Sequence, residues 1–210
     1  MRAVLIEVPE YLIEERRRKD VDRYDEMWEG ELHMSPLPSW IHQRLEVNLS
    51  YFFKAHWENM DLGTICPHVG VKPPGTPDVD LAGQTVPRNY RGPDMVFLLE
   101  GHEDRVQDGW VVGPPDSLIE IRSPGDETYE KFPFYFDLGV TEVIVIHRDT
   151  KATEIYARGL DVFERVPVET DGSVRSRVLD TTFRTVVDPT TGASVLHLHR
   201  TSLPDRQGTA

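Results

Sequence analysis

Two apolar segments decide the fold of this chain: Pro93-Asp94-Met95-Val96-Phe97-Leu98-Leu99 and Leu118-Ile119-Glu120-Ile121-Arg122-Ser123-Pro124. Each is a short apolar run that predicts a β-strand. An acidic residue opens the first strand, and a second acidic residue lies in the middle of the other. A carboxylate that is desolvated without a partner costs several kcal/mol. Two carboxylates on neighbouring strands also repel each other unless a cation lies between them, so Asp94 and Glu120 predict a divalent metal site.

Composition places the chain among soluble globular proteins. Its 210 residues suit a single domain, predicted over residues 1–200, and the content of 39% hydrophobic and 28% charged residues excludes a disordered chain. The single cysteine, Cys66, excludes an intrachain disulfide and a Cys-rich zinc site. Glu7 interrupts the N-terminus too early for a signal-peptide core, and no apolar run reaches membrane-spanning length. A cytoplasmic location is therefore predicted.

The charge of the chain argues against simple binding of a polyanion. The formal net charge is -13, whereas nucleic-acid-binding proteins usually present a basic face. The one dense basic run, Arg16–Lys19, is flanked by acidic residues, which is typical of a solvated helix face with local ion pairs. Net charge does not settle the question, because a bound metal ion itself supplies positive charge where a phosphate would bind.

The order of the predicted elements indicates an α/β (α+β) fold with a mixed central β-sheet flanked by helices. Ser39 is the predicted N-cap of a helix that runs to about Trp57, because apolar side chains follow it at three- and four-residue steps. The prolines and glycines of residues 72–93 predict a surface loop, and a frayed tail is predicted for residues 201–210. The other predicted elements are helices within residues 9–29 and at 126–138, and strands at 30–34, 64–71, 94–99, 117–122, 140–147, 153–157, 160–165, 175–187 and 194–198.

A set of short motifs in a fixed order also characterises the chain: Tyr24, Gly30-Glu31-Leu32, Met34-Ser35-Pro36, His42-Gln43-Arg44, Pro93-Asp94, Glu120, Ser123-Pro124, Glu130-Lys131, Tyr135 and Gly139-Val140. Together they resemble the Uma-two family of the PD-(D/E)XK restriction-endonuclease-like superfamily, over roughly residues 20 to 165. The resemblance implies a restriction-endonuclease-like nuclease core, to which the strands predicted at 175–187 and 194–198 add extra C-terminal strands. It also implies Mg²⁺ (or Mn²⁺) as the cofactor, nucleic acid with DNA foremost as the substrate, and a homodimer as the assembly.

The resemblance assigns expected roles to particular residues. Asp94 matches the aspartate of the Pro-Asp motif, and Glu120 matches the acid of the (D/E)XK motif, so both are expected to bind the metal. Arg122 stands where that motif has its lysine, and Lys131 occupies the place of a lysine on the following helix. A guanidinium stays charged at any working pH, so Arg122 suits a phosphate clamp, whereas Lys131 suits a general base or a cation that orients water. Glu31 and His42 match family positions near the cleft and are possible supporting residues.

Each assignment has a plainer alternative. Asp94 could cap a turn after Pro93, and Glu120 could pair only with Arg122 at the strand edge. Lys131 could be a surface lysine in the first turn of a helix. Pro133 could also hold the preceding residue out of helical geometry and leave Lys131 in a loop.

Three functional hypotheses follow for the whole chain. The first is a metal-dependent endonuclease that uses Asp94, Glu120 and Lys131. The second is a catalytically silent protein of the same fold that acts as a structural or partner-binding module. The third is a nuclease-like component of a toxin or mobile element whose partner recognises DNA, which a single sequence does not separate from the first.

Overall fold

The structure, a computed structural model, describes residues 3–5, 9–81 and 84–210. Three α-helices lie in these ranges: α1 (Glu10–Arg18), α2 (Trp40–His56) and α3 (Phe132–Leu138). The strands are β1 (Ala3–Leu5), β2 (Glu26–Trp28), β3 (Glu31–Met34), β4 (Gly63–Pro67), β5 (Val71–Lys72), β6 (Asp78–Leu81), β7 (Gln84–Pro87), β8 (Met95–Leu99), β9 (Val106–Gln107), β10 (Trp110–Val112), β11 (Ser117–Arg122), β12 (Glu142–His147), β13 (Thr153–Arg158), β14 (Phe163–Arg165), β15 (Ser173–Ser176), β16 (Thr181–Val187), β17 (Ser194–Arg200) and β18 (Leu203–Thr209). Short 3-10 turns lie at Asp22–Tyr24, Glu58–Met60, Glu103–Arg105 and Tyr129–Lys131.

A six-stranded mixed sheet forms the centre of the fold. Its strand order is β14-β13-β12-β11-β8-β4, and β11 and β12 run parallel while the other neighbours run antiparallel. A four-stranded antiparallel sheet, β15-β16-β17-β18, supplies the extra C-terminal strands. The predicted α+β class with a mixed central sheet is confirmed.

The sheet separates two apolar layers because successive strand residues point to opposite faces. On one face, Phe97 and Ile119 pack with the apolar side of α2, which contributes Leu45, Leu49, Phe52 and Phe53. On the other face, Val96 and Leu118 pack with Tyr135 of α3. The two helices therefore flank the strands that carry the acidic residues.

Helix α2 begins where the sequence predicts. The Ser39 hydroxyl accepts a hydrogen bond from the backbone N–H of His42 at 3.3 Å, which satisfies one of the free donors of the first turn. The helix ends at His56, one residue before the predicted boundary. Because Ser39 fixes the first turn, it also fixes the direction in which His42 leaves the helix.

Five predicted elements are wrong in part. The strands predicted at 64–71 and 175–187 each divide in two, the first into β4 and β5 and the second into β15 and β16. Residues 9–29 contain not only α1 but also strand β2, which pairs with β3 across a two-residue turn. The predicted loop at 72–93 contains the β6–β7 hairpin, whose tip residues 82 and 83 lie outside the described ranges. The helix predicted over 126–138 is α only from Phe132, after the 3-10 turn Tyr129–Lys131. Each error concerns an element whose form depends on a partner strand or on a proline.

The predicted frayed tail is also wrong, because residues 203–209 form strand β18. This strand pairs antiparallel with β17, and Ala210 exchanges two backbone hydrogen bonds with Leu196 at 2.8 and 2.9 Å. Few apolar residues mark the segment, so its order comes from the partner strand and from contact with α2. Gly208 lies so close to α2 that an added Cβ would meet the Phe52 ring at 2.9 Å.

Gly208→Val is accordingly expected to destabilise the protein by about 1–3 kcal/mol, because the added carbons overpack the contact with Phe52. The measurement is urea unfolding followed by tryptophan fluorescence. The exposed neighbour Gln207→Val serves as the control, with little change expected. Equal stability of the two variants would contradict a packed tail.

A buried acid, Glu142, is the first residue of β12. Glu142 accepts hydrogen bonds from the hydroxyls of Ser176 and Ser117, and both contacts are buried. Burial raises the pKa of Glu142 to about 7, and the hydrogen bonds from Ser176, the Arg177 backbone and Ser117 oppose the rise only in part. The group is therefore a source of pH-dependent stability that is separate from the candidate site.

Glu142→Gln is expected to be more stable than the wild type above pH 7. The ordinary carboxyl pKa is 4.5 and the folded pKa is about 7. Between these values the folded state keeps a proton that the unfolded chain has released, so stability falls as pH rises through this window. The substitution removes that loss, which is on the order of 3 kcal/mol. Urea unfolding of both proteins at about pH 5 and about pH 8 measures it, and a pH-independent difference would contradict it.

Within the described ranges, no helix combines the length and apolar character needed to span a membrane.

Candidate functional site

The two predicted acids meet at one edge of the central sheet. In the β8–β11 ladder, Ile119 lies opposite Met95 and Leu118 lies opposite Val96. The same register, continued by one residue, places Glu120 opposite Asp94, and directly opposed residues share a face. Both residues line a cavity of about 780 Å³ between α2, the N-terminal strands and the loop that follows β11. Asp94 therefore does more than cap a turn after Pro93, because it lies opposite Glu120 and lines the cavity.

Asp94 is held by two hydrogen bonds. Its Oδ1 lies 2.9 Å from Nε2 of His42, and its Oδ2 accepts the backbone N–H of Ile121 at 2.6 Å. Burial alone would raise the pKa of Asp94, but these hydrogen bonds and the charges of His42 and Lys131 outweigh it and lower the pKa. Burial alone would lower the pKa of His42. The hydrogen bond and the charge of Asp94 outweigh this effect, so the pKa of His42 is raised. The pair therefore favours an ionised carboxylate that faces the cavity.

Glu120 is buried beside Lys131, and not beside Arg122. The Lys131 Nζ lies 3.0 and 3.2 Å from the two carboxylate oxygens, and the Tyr135 hydroxyl donates to Oε1 at 2.5 Å. Burial raises the pKa of Glu120 to about 7; Lys131 opposes this rise, and the charges of Asp94 and Glu26 add to it. Asp94 and Glu120 thus have pKa values displaced in opposite directions, which is common in functional sites.

Lys131 is neither a surface lysine nor a loop residue. It is buried at the end of the 3-10 turn that precedes α3, and Phe132 after it has helical dihedral angles of -58° and -42°. The alternative based on Pro133 is therefore wrong. Pro133 lies in the first turn of α3, where its missing N–H is no loss. The ring of Phe132 packs against Tyr156 and Phe163, which favours the helical geometry despite the proline.

Glu26 is the residue that sequence reasoning missed. Its Oε1 lies 2.7 Å from the Lys131 Nζ, and its side chain is buried. The prediction of helices over residues 9–29 hid it, because Glu26 in fact lies on β2. The only local signal in the sequence was Gly30, which with Glu29 forms the two-residue turn between β2 and β3; both residues have positive φ in the structure.

Two predicted supporting residues lie outside the cavity. Glu31 is exposed on β3, opposite Trp28, and is not among the lining residues. Arg122 lies on the same strand as Glu120 but stacks over the Tyr129 ring at 5.0 Å, with its Nε 3.9 Å from Oδ1 of Asp126. The structure therefore brings Asp94, Glu120, Lys131 and His42 together and leaves these two residues outside.

A second polar pair adjoins His42, and one of its members, His68, lines the cavity. Glu46 is buried one turn after His42 on α2, and its Oε2 lies 2.8 Å from Nε2 of His68. The Glu46 carboxylate accepts a hydrogen bond from His68. This contact raises the pKa of His68, although burial opposes the rise. The backbone N–H of His68 donates to the carbonyl of Asp94 at 3.1 Å. His68 therefore continues the row of polar residues along the sheet edge.

The donor set at the sheet edge fits a hard divalent cation. Mg²⁺ is usually bound through one or two carboxylates and retains several water ligands, and Asp94 and Glu120 offer such a pair at the cavity wall. Among the residues that the structure describes, no group of three or more His, Cys, Asp or Glu side chains is placed to enclose a metal. Within the described ranges, an ion at this position would therefore have Asp94 and Glu120 as its carboxylate ligands.

A mixed sheet that carries two opposed acids and a nearby lysine defines the class that the sequence resemblance implied, a restriction-endonuclease-like nuclease fold. The family model described as "Uma2: Putative restriction endonuclease" matches residues 8–187. The chain therefore belongs to the Uma2 family.

The solved structures include one with the same fold, a protein from Anabaena variabilis ATCC 29413 described as "a putative nuclease belonging to DUF820". The two chains are 15% identical and superpose with a TM-score of 0.56, over 74% of this chain and 82% of the other. At that identity the match shows the fold alone. A search of the curated proteins found no match.

Proposed function

We propose that this protein is a metal-dependent endonuclease that hydrolyses phosphodiester bonds in nucleic acid, with DNA as the first candidate. The observation that carries the proposal is the convergence of Asp94, Glu120 and Lys131 at one cavity wall, where each has a fixed partner. The family description as a restriction endonuclease and the nuclease fold support the same class of reaction.

Asp94 and Glu120 would hold Mg²⁺ (or Mn²⁺). When bound, the ion would neutralise charge on the phosphate and on the leaving oxygen. The hydrogen bonds of Asp94 to His42 and Ile121 keep this carboxylate in one orientation. The Tyr135 hydroxyl does the same for Glu120, because it donates a hydrogen bond to Oε1. Lys131, which lies within reach of two carboxylates, is suited to donate a hydrogen bond to the attacking water and to orient it.

The experiment is incubation of the purified protein with supercoiled plasmid, single-stranded DNA and RNA, each with Mg²⁺, with Mn²⁺ or with EDTA. The proposal expects metal-dependent cleavage of at least one substrate, which EDTA abolishes. Glu31→Gln provides a control for loss of an acid, because Glu31 is exposed on β3 outside the cavity. This variant is expected to cleave like the wild type. Trace cleavage that is insensitive to EDTA would reject an enzymatic role.

One observation favours the second candidate, a catalytically silent protein that binds a partner. Lys131 already contacts both oxygens of Glu120, so the carboxylate has a counter-charge without a metal. Mn²⁺ titration calorimetry separates the candidates. Binding that is lost in Glu120→Gln argues for the enzyme, and absence of binding argues for the silent protein.

A homodimer in the cytoplasm completes the proposal. The support is the resemblance to nucleases that act in pairs to cut two strands. Light scattering at high protein concentration tests the assembly. A mass of about twice the 24.1 kDa of the chain is expected, and a clean monomer would reject it.

A further inference from the structure

Glu26 is anchored independently of the lysine that it contacts. Its Oε2 accepts the indole N–H of Trp28 at 2.7 Å, and its Oε1 accepts the backbone N–H of Gly92 at 3.2 Å. The guanidinium of Arg91 lies 4.3 Å from the Trp28 ring centre and 4.2 Å from that of Phe134, which ties β2 to α3. The distance between Glu26 and Lys131 is therefore set by the packing of two elements.

Lys131 is shared between two carboxylates. Its Nζ lies 2.7 Å from Oε1 of Glu26, and 3.0 and 3.2 Å from the oxygens of Glu120. An ammonium group has three donors and no acceptor, so it can serve both acids at once. A cation bound at Glu120 would compete with the lysine for the same oxygens. A buried lysine that lost its only carboxylate would be strongly unfavourable.

We infer that Glu26 is a positioning residue that retains Lys131 when Glu120 binds a metal ion. This inference rests on the proposed function. Because Glu26 keeps a short ion pair with the ammonium group, Lys131 can release the oxygens of Glu120 without becoming an unpaired buried charge. Glu26 thereby leaves Glu120 available to the metal and keeps the ammonium group beside the cavity, where it can orient water.

Glu26 could instead be a third metal ligand, and a second substitution separates the two roles. In Glu26→Gln, Lys131 has Glu120 as its remaining carboxylate, so Mn²⁺ must displace it there. If Glu26 acts through Lys131, removal of the lysine as well should restore metal binding. If Glu26 is a ligand, the double variant should bind Mn²⁺ more weakly than Lys131→Met alone, whereas a residue that acts only through the lysine should make no difference once the lysine is gone.

The experiment is Mn²⁺ titration calorimetry of the wild type, Glu26→Gln, Lys131→Met and the double variant Glu26→Gln/Lys131→Met. Glutamine keeps one acceptor oxygen, so it can preserve the hydrogen bond from Trp28 or from Gly92 but not both, and circular dichroism checks that each variant is folded. Glu26→Gln is expected to bind Mn²⁺ roughly tenfold more weakly, in line with the loss of a group that supports a metal ligand. The double variant is expected to return to wild-type affinity or better. Glu31→Gln serves as the matched control.

Two results would overturn the inference alone: wild-type affinity in Glu26→Gln, or a double variant that binds Mn²⁺ more weakly than Lys131→Met. Absence of Mn²⁺ binding in the wild type would reject the proposed function, and the inference with it. The two failures are thus told apart by the wild-type titration.

Discussion

Asp94→Asn and Glu120→Gln are each expected to lower the rate of metal-dependent DNA cleavage roughly a thousandfold, because a bound ion contributes several kcal/mol to the transition state and each 1.36 kcal/mol is a factor of ten. Both substitutions preserve size and one acceptor oxygen. In Asp94→Asn the remaining oxygen can still accept the N–H of Ile121, so the strand edge should keep its geometry. Initial rates of plasmid nicking at saturating Mn²⁺ measure the effect.

Matched controls make this prediction specific to the cavity. Glu31→Gln, on β3, and Asp161→Asn, on the exposed turn between β13 and β14, remove acids that lie outside the lining residues and should keep the wild-type rate. Thermal unfolding curves establish that all four variants are folded. Asp94→Asn or Glu120→Gln with more than a tenth of the wild-type rate would contradict the assignment of these acids as metal ligands.

Lys131→Met is expected to destabilise the fold by about 3–5 kcal/mol, the loss seen when one partner of a buried ion pair is removed. Methionine retains most of the buried volume, so the effect is electrostatic and not a cavity. Two buried carboxylates, Glu26 and Glu120, would lose the cation that lies between them. Urea unfolding of the wild type and the variant near neutral pH is the measurement.

The stability loss in Lys131→Met is expected to depend on pH in a defined direction. Burial raises the folded pKa of Glu120 to about 7 from the ordinary 4.5, even with Lys131 in place. An acid with a raised folded pKa takes up a proton on folding between those values, so its contribution to stability falls as pH rises through that window. Without Lys131 the folded pKa rises further. The loss of unfolding free energy in Lys131→Met should therefore be largest above pH 7 and shrink toward pH 5 as Glu120 protonates.

The double variant Glu26→Gln/Lys131→Met provides the internal control for stability. It removes one acid together with the lysine, so it should recover part of the stability that Lys131→Met loses. A double variant less stable than the single one would show that Glu26 and Lys131 do not act as an ion pair. A single variant as stable as the wild type would contradict the buried network as a whole.

Local patterns were sufficient for the elements that carry the two acids. The short apolar runs of β8 and β11 identified the strands, and the structure explains these runs because the residues face both core layers. Ser39 and the helical spacing after it identified α2, because a cap and its periodicity lie within a few residues of each other. The placement of Lys131 rested on the family resemblance, and its alternatives were separated only by the structure.

The same patterns could not supply contacts between distant segments. Nothing near Glu26 in the sequence indicates that β2 packs against α3, and that packing is what brings Glu26 to Lys131. Glu31 matched a family position yet lies one strand away with its side chain exposed. A shift of one residue on a strand reverses the face of a side chain, so sequence proximity to a site is a weak guide.

The sequence by itself determined that Asp94 and Glu120 lie on apolar strands, since side-chain periodicity is a property of a few consecutive residues. Only the tertiary structure decided that the two acids oppose each other, that Glu26 shares Lys131 with Glu120, and that residues 203–209 are ordered. These features depend on which strands pair and which faces meet. That choice is made by burial summed over the whole chain, so no local segment encodes it.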